Sequence, residues 1–172
     1  MDLRLYHNSH EFYYRSSFGA VPSGSRLILR LRASGSDAQN CRARIRLWQS
    51  NAGESFVPMS YEDGIFTGIV TIPPKGCLLW YYFIIDDGHR TFYYGNNYDR
   101  LGGEGAKYPD VPPAYQVTVY DKDAHTPDWF KHAVMYQIFP DRFCRAGDTL
   151  IGKKGAVYHA CWQDSPFYYK DV

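Results

Sequence analysis

The sequence predicts an all-β fold. Three features carry the prediction: apolar and polar residues alternate at period two, Asp-Gly pairs stand between apolar runs, and aromatic residues make up 17% of the chain, with 16 Tyr, 10 Phe and 4 Trp. At 172 residues the length allows about one domain with an appendage, enough to bury roughly two-thirds of the unfolded surface.

Short segments near Leu3 to Tyr6 and Phe12 to Tyr14 read as the first strands. In "RLILRLRA", Leu27, Leu29 and Leu31 face a core while Arg26, Arg30 and Arg32 face water. "CRARIRLW" repeats the device, with Ala43, Ile45 and Leu47 inward, Arg42, Arg44 and Arg46 outward, and Trp48 on the arginine side. "SYEDGIFTGIVTI" is a hairpin around Asp63-Gly64, whose second strand runs from Ile65 to Ile72 and is stopped by Pro73 and Pro74. "CLLWYYFIIDDGHRTFYYG" is another, turning around Asp87-Gly88, and its first strand from Leu78 to Ile85 is apolar on both faces. "NNYDRLGGEGAKYPDVPPAY", with three Gly and three Pro, reads as a long ordered loop in which Glu104 stabilises a turn. "YQVTVY", Tyr115 to Tyr120, closes the set. About seven or eight short strands separated by turn signals are the pattern of an immunoglobulin-like β-sandwich over residues 1–122.

After Tyr120 the character changes. "DKDAHTPDWF" is a polar linker ending in Thr126-Pro127, a helix N-cap followed by proline at the first helical position. "AVMYQIFPDRF" follows. Val134, Met135, Tyr136, Ile138 and Phe139 form a nearly continuous apolar run, the mark of a parallel strand buried on both faces, which Pro140 stops. Such a strand needs neighbours, and 29 residues follow Phe143.

Charge and cysteines exclude several classes. Lys+Arg of 19 against Asp+Glu of 18, with no basic block, argues against nucleic acid as a partner. No run approaches 18 apolar residues and "MDLRLYHNSH" has no charged region leading into an apolar stretch, so no membrane partner and no export signal are expected. Cys41, Cys77, Cys144 and Cys161 form no C-x-x-C pair and suit reduced thiols in a cytoplasm. The six histidines are scattered, with hydrogen-bonded or solvated roles expected for each.

"TPDWFKHAVMYQIFPDRF", Thr126 to Phe143, resembles the start of the catalytic barrel in α-amylase-family glycoside hydrolases, in particular the cyclomaltodextrinase, neopullulanase and maltogenic-amylase group. "FYYRSSFGAVPSG" (Phe12 to Gly24) and "LGGEGAKY" (Leu101 to Tyr108) are similar to the N-terminal domain of that group. The resemblance implies an immunoglobulin-like domain followed, over residues 123–172, by a linker and the first strand and loop of a truncated (β/α) barrel. A whole barrel takes about 250 residues. The acids of a retaining mechanism, implied after later barrel strands, are matched by no residue here, so the expectation is an inactive chain from an intracellular α-glucan hydrolase acting on maltooligosaccharides, cyclodextrins or pullulan.

The same resemblance makes Tyr136, Gln137, Pro140, Asp141, Arg142 and Phe143 a structural barrel-opening motif, with Asp141 and Arg142 a structural ion pair rather than catalytic groups. The group often holds calcium just after this strand. Here "FCRAGDTLIGKKG" offers only Asp148 as an oxygen-rich ligand, so neither metal nor cofactor is expected. Trp48, Trp80, Tyr82 and Tyr94 are candidates for a sugar platform, because a pyranose face packs on an indole or phenol ring; core or domain-interface packing is the favoured role for any one of them. Implied partners are an α-glucan, met through the missing barrel, and a second copy in a homodimer. The alternative is a stand-alone starch- or glycogen-binding β-sandwich, since one architecture serves both roles.

Overall fold

The computed structural model describes residues 3–36, 38–50 and 52–139, with Phe143 and Lys154. The chain divides into two compact units, Met1–His125 and Thr126–Val172.

The first unit holds two sheets, one antiparallel and the other antiparallel but for one short strand. Strands β1 (Arg4–Tyr6), β3 (Arg26–Ser34), β7 (Ile65–Thr71) and β6 (Ser60–Glu62) lie in the spatial order β1-β3-β7-β6. The other sheet is built on β8 (Cys77–Asp86), ten residues long. β4 (Arg42–Gln49) covers one edge of β8, from Leu79 to Asp86. The opposite edge is divided, with β11 (Tyr115–Tyr120) pairing over residues 77–81 and β9 (Thr91–Gly95) over 83–86. β5 (Gly53–Pro58) extends the sheet beyond β4, β10 (Ala106–Tyr108) beyond β9, and the two-residue β2 (Val21–Pro22) runs parallel to β11.

Alternation places the core where the sequence puts it. Leu27, Leu29 and Leu31 of β3 and Phe66 and Val70 of β7 meet Ile45, Leu79, Tyr81, Phe83, Ile85, Val117 and Val119 of the other sheet in one buried cluster, which makes the unit a β-sandwich. Each such side chain contributes roughly 2 kcal/mol by leaving water. The Asp63-Gly64 turn forms as read. Both residues take positive φ, 46° and 81°, and Glu62 pairs with Ile65 across a two-residue loop. The turn at Asp87-Gly88 is longer. Asp86 pairs with Thr91, and Asp87 Oδ1 accepts hydrogen bonds from the backbone N–H groups of His89 and Arg90, which hold its carboxyl below the usual carboxylate range.

Several elements differ from the sequence expectation. Phe12 to Tyr14 is a turn rather than a strand, because Glu11 O accepts from the N–H groups of both Tyr14 and Arg15 and curls the segment. The glycine-rich stretch after Asn96 contains β10, whose residues pair with β9 only once the chain has folded back. The second unit carries a short helix, α1 (Asp128–Lys131), steadied by a Lys131 Nζ to Asp128 Oδ1 bond of 2.7 Å. Its N-cap is Pro127, one residue later than expected, and Thr126 makes no capping bond. No strand forms over residues 133–139; Val134, Met135, Tyr136 and Phe139 are exposed, and no parallel neighbour pairs with them among the described residues.

A polar knot sits inside the apolar core. His7 is fully buried, its Nδ1 2.7 Å from the carbonyl of Arg30 and its Nε2 3.0 Å from the hydroxyl of Tyr81. A carbonyl only accepts, so Nδ1 carries the proton, Nε2 accepts, and the Tyr81 hydroxyl donates to it. The rings of Tyr81, Phe83 and Tyr115 pack around the imidazole at 5.8, 4.8 and 5.2 Å. Burial lowers the His7 pKa to about 4, with the Arg15 charge adding to the depression. Burial likewise pushes the Tyr94 hydroxyl up to about 12; it donates to the carbonyl of His7 at 3.1 Å.

Candidate functional site

The outer face of the β8 sheet is where chemistry-bearing residues gather. Antiparallel register sets Trp48 directly opposite Trp80, and both point away from the core because Leu47, Leu79 and Tyr81 point into it. Their rings lie 5.0 Å apart at 55°. Trp48 is 37% exposed and Trp80 half-buried. The row continues on either side, Glu54 pairing with Trp48 from β5 and Gln116 with Trp80 from β11.

One step along the strands, Arg46 pairs with Tyr82. Arg46 Nε donates to Glu54 Oε1, and the guanidinium lies 5.2 Å from the Tyr82 ring centre. Tyr82 is therefore buried beneath Arg46, with its ring edge on Tyr93, and desolvation raises its pKa. Phe56, exposed on β5, carries Arg44 over its ring at 4.8 Å. An indole pair bordered by an Arg–Glu pair and an amide offers an apolar plate together with donors and acceptors, the chemistry that a pyranose requires.

Of the four aromatic candidates, the structure thus brings Trp48 and Trp80 together, sets Tyr82 beside them under a guanidinium, and places Tyr94 at 2% exposure within the core. Phe56, Glu54 and Gln116 were not singled out in the sequence. The alternation of Glu54 and Phe56 was a signal, yet β5 is short and bracketed by Gly53 and Pro58. In the second unit Tyr136 and Gln137 are exposed, as is Phe143, while Pro140, Asp141, Arg142 and Asp148 lie outside the described residues. Among the described residues no three His, Cys, Asp or Glu side chains cluster as metal ligands, Cys77 carries a free thiol, and no helix is long and apolar enough to cross a membrane.

The first unit is thus a β-sandwich that carries an outward tryptophan pair. No protein-family model matches the chain. An amylopullulanase of Thermoanaerobacterium thermosulfurigenes is 39% identical over 181 residues, taking in 94% of this chain and 9% of the relative. An amylopullulanase of Thermoanaerobacterium saccharolyticum is 38% identical over 180 residues, with 94% of this chain and 14% of the relative. A cyclomaltodextrinase of Geobacillus thermopakistaniensis is 31% identical over 99 residues, with 55% of this chain and 16% of the relative. The chain spans less than a fifth of the length of these relatives, and it corresponds to a segment of α-amylase-family glycoside hydrolases.

Proposed function

We propose that the chain is an accessory region of an α-glucan hydrolase: an immunoglobulin-like sandwich that borders the catalytic domain, followed from about Thr126 by the opening of a (β/α) barrel. The observation that carries this reading is the 39% identity to an amylopullulanase across 94% of the chain, from the sandwich into the "YQIFPDRF" string. Retaining hydrolysis needs two carboxyl groups about 5 Å apart, and the resemblance assigns these to later barrel strands. The 172-residue chain is therefore expected to show no turnover of maltooligosaccharides, cyclodextrins or pullulan, whereas the polypeptide extended past Val172 turns them over. Reducing-end assays of both chains decide, and turnover by the shorter one contradicts the reading.

The second reading, a self-sufficient α-glucan-binding module, is favoured by the Trp48–Trp80 pair beside Arg46 and Glu54. As an accessory domain the chain is expected to bind β-cyclodextrin only weakly, with Kd about 1 mM or above, a free energy of about 4 kcal/mol. Titration calorimetry separates the two. A Kd near 1 μM that Trp48→Ala weakens by roughly tenfold or more would favour the binding module.

A further inference from the structure

A cleft of about 620 Å³ opens in the sandwich unit, walled by β8, β11, the segment around residues 9–20 and the loop after Asn96. That is the size of a small-molecule site. Arg15, Arg100 and His10 line it, together with Gln116, Trp80 and Phe18, and no Asp or Glu contributes to the lining. The cleft is thus rich in donors and poor in charged acceptors.

Arg15 is only 7% exposed. Its Nε, Nη1 and Nη2 donate to the carbonyls of Ser17, Gln116 and Gly19 at 3.1, 3.3 and 2.6 Å. Those acceptors fix the guanidinium without neutralising it, and no carboxylate pairs with it among the described residues. Buried charges are ordinarily paired, so a fixed cation beside a cleft points to an anion from outside. Arg100 brings a second guanidinium to the same lining. Its φ of 59° is a left-handed conformation that costs a residue with a side chain of order 1 kcal/mol, and such strain gathers at binding sites. The loop enforces it through Arg100 N to Asn97 O (3.1 Å), Leu101 N to Asn97 Oδ1 (3.3 Å) and Gly102 N to Asn96 Oδ1 (3.0 Å).

We propose that this cleft binds a phosphate monoester carried on a pyranose, its anion met by Arg15 and Arg100 and its ring packed on Trp80 and Phe18. A phosphate monoester is close to doubly charged at neutral pH and accepts without needing to donate, which suits two guanidinium groups in a lining without carboxylates. The pyranose half rests on the α-glucan reading above, whereas the anion half rests on the cleft alone. The ester has two sources, a free hexose phosphate or a phosphorylated glucan.

The test is calorimetric titration of the full chain with glucose 6-phosphate, a phosphorylated maltodextrin, inorganic phosphate and maltotriose. Glucose 6-phosphate is expected to bind about tenfold or more tighter than inorganic phosphate or maltotriose, and to weaken as salt rises. Arg100→Gly tolerates the positive φ and keeps the loop while removing the charge; an unchanged melting temperature with at least about tenfold weaker binding supports the site. Tighter binding of the dextrin assigns the ester to a glucan, and tighter binding of the free sugar assigns it to a metabolite. Equal binding of maltotriose overturns the anion, equal binding of inorganic phosphate overturns the sugar, and indifference to Arg100→Gly or absence of all binding overturns the site. Hydrolysis by the extended polypeptide is a separate readout, so neither failure conceals the other.

Discussion

Gly105→Ala is expected to cost the sandwich about 4 kcal/mol or more, beyond the usual range for a single methyl group. A Cβ built on Gly105 would lie within the contact radii of the Gly95 carbonyl and the Tyr115 hydroxyl, with Tyr94 Cε1 at 2.7 Å. None of the three can retreat. Gly95 is paired to β10, Tyr115 stacks on Tyr81 with ring centres 5.0 Å apart, and Tyr94 is buried and bonded through its hydroxyl to the His7 carbonyl at 3.1 Å, while Gly105 itself is tied by its N–H to that same carbonyl at 3.2 Å. The measurement is thermal unfolding of the full chain followed by circular dichroism. A midpoint lowered by about 15 °C is expected for a unit of this size; a midpoint within about 2 °C of the parent would show that the close approach is not as described.

The second large effect is acid sensitivity, and it comes from His7. Its pKa of about 4 in the folded chain lies below its usual value of 6.5, so between those limits the unfolded chain binds more protons than the folded one. The stability it contributes is complete above pH 6.5, declines as pH falls, and is exhausted near pH 4, a total of about 3 kcal/mol. The structural cause is specific. Protonating Nε2 turns an acceptor into a donor that faces the hydroxyl hydrogen of Tyr81, with the Arg15 charge nearby. Urea midpoints across this window should fall with acid more steeply for the parent than for His7→Gln, by the titration of one proton. Parallel curves for the two chains would contradict the buried neutral imidazole.

The parts of the fold legible in the sequence are those whose signal is local. Leu27, Leu29 and Leu31 alternate with arginines, and Asp63-Gly64 can form one kind of turn, so β3, β4 and the β6–β7 hairpin were readable without knowing their partners. β2 and β10 owe their existence to β11 and β9, and a two- or three-residue strand has no period to read. The run from Val134 to Phe139 shows the converse, a strong strand composition that forms no strand and has no parallel neighbour among the described residues.

The same division holds for the candidate site. Trp48 and Trp80 were visible as outward residues of two strands, but that they face each other depends on a register that only folding sets. Tyr94 turned on a single step of parity: in "TFYYG" Tyr93 faces outward against Tyr82 and Tyr94 faces the core, and a one-residue shift exchanges them. The cleft could not be read at all. Arg15, Trp80, Arg100 and Gln116 are brought together from four separate segments, and the mark of the place is a buried cation with no carboxylate partner among the described residues.

The proposed place of this chain in a retaining α-glucan hydrolase is decided by the anomer of the first product. Pullulan or a maltooligosaccharide is treated with the polypeptide extended past Val172, and the earliest reducing ends are followed by proton NMR before mutarotation. Retention through a paired-carboxylate site predicts α-anomeric ends first; β-anomeric ends, or no cleavage of any α-glucan, would contradict the account.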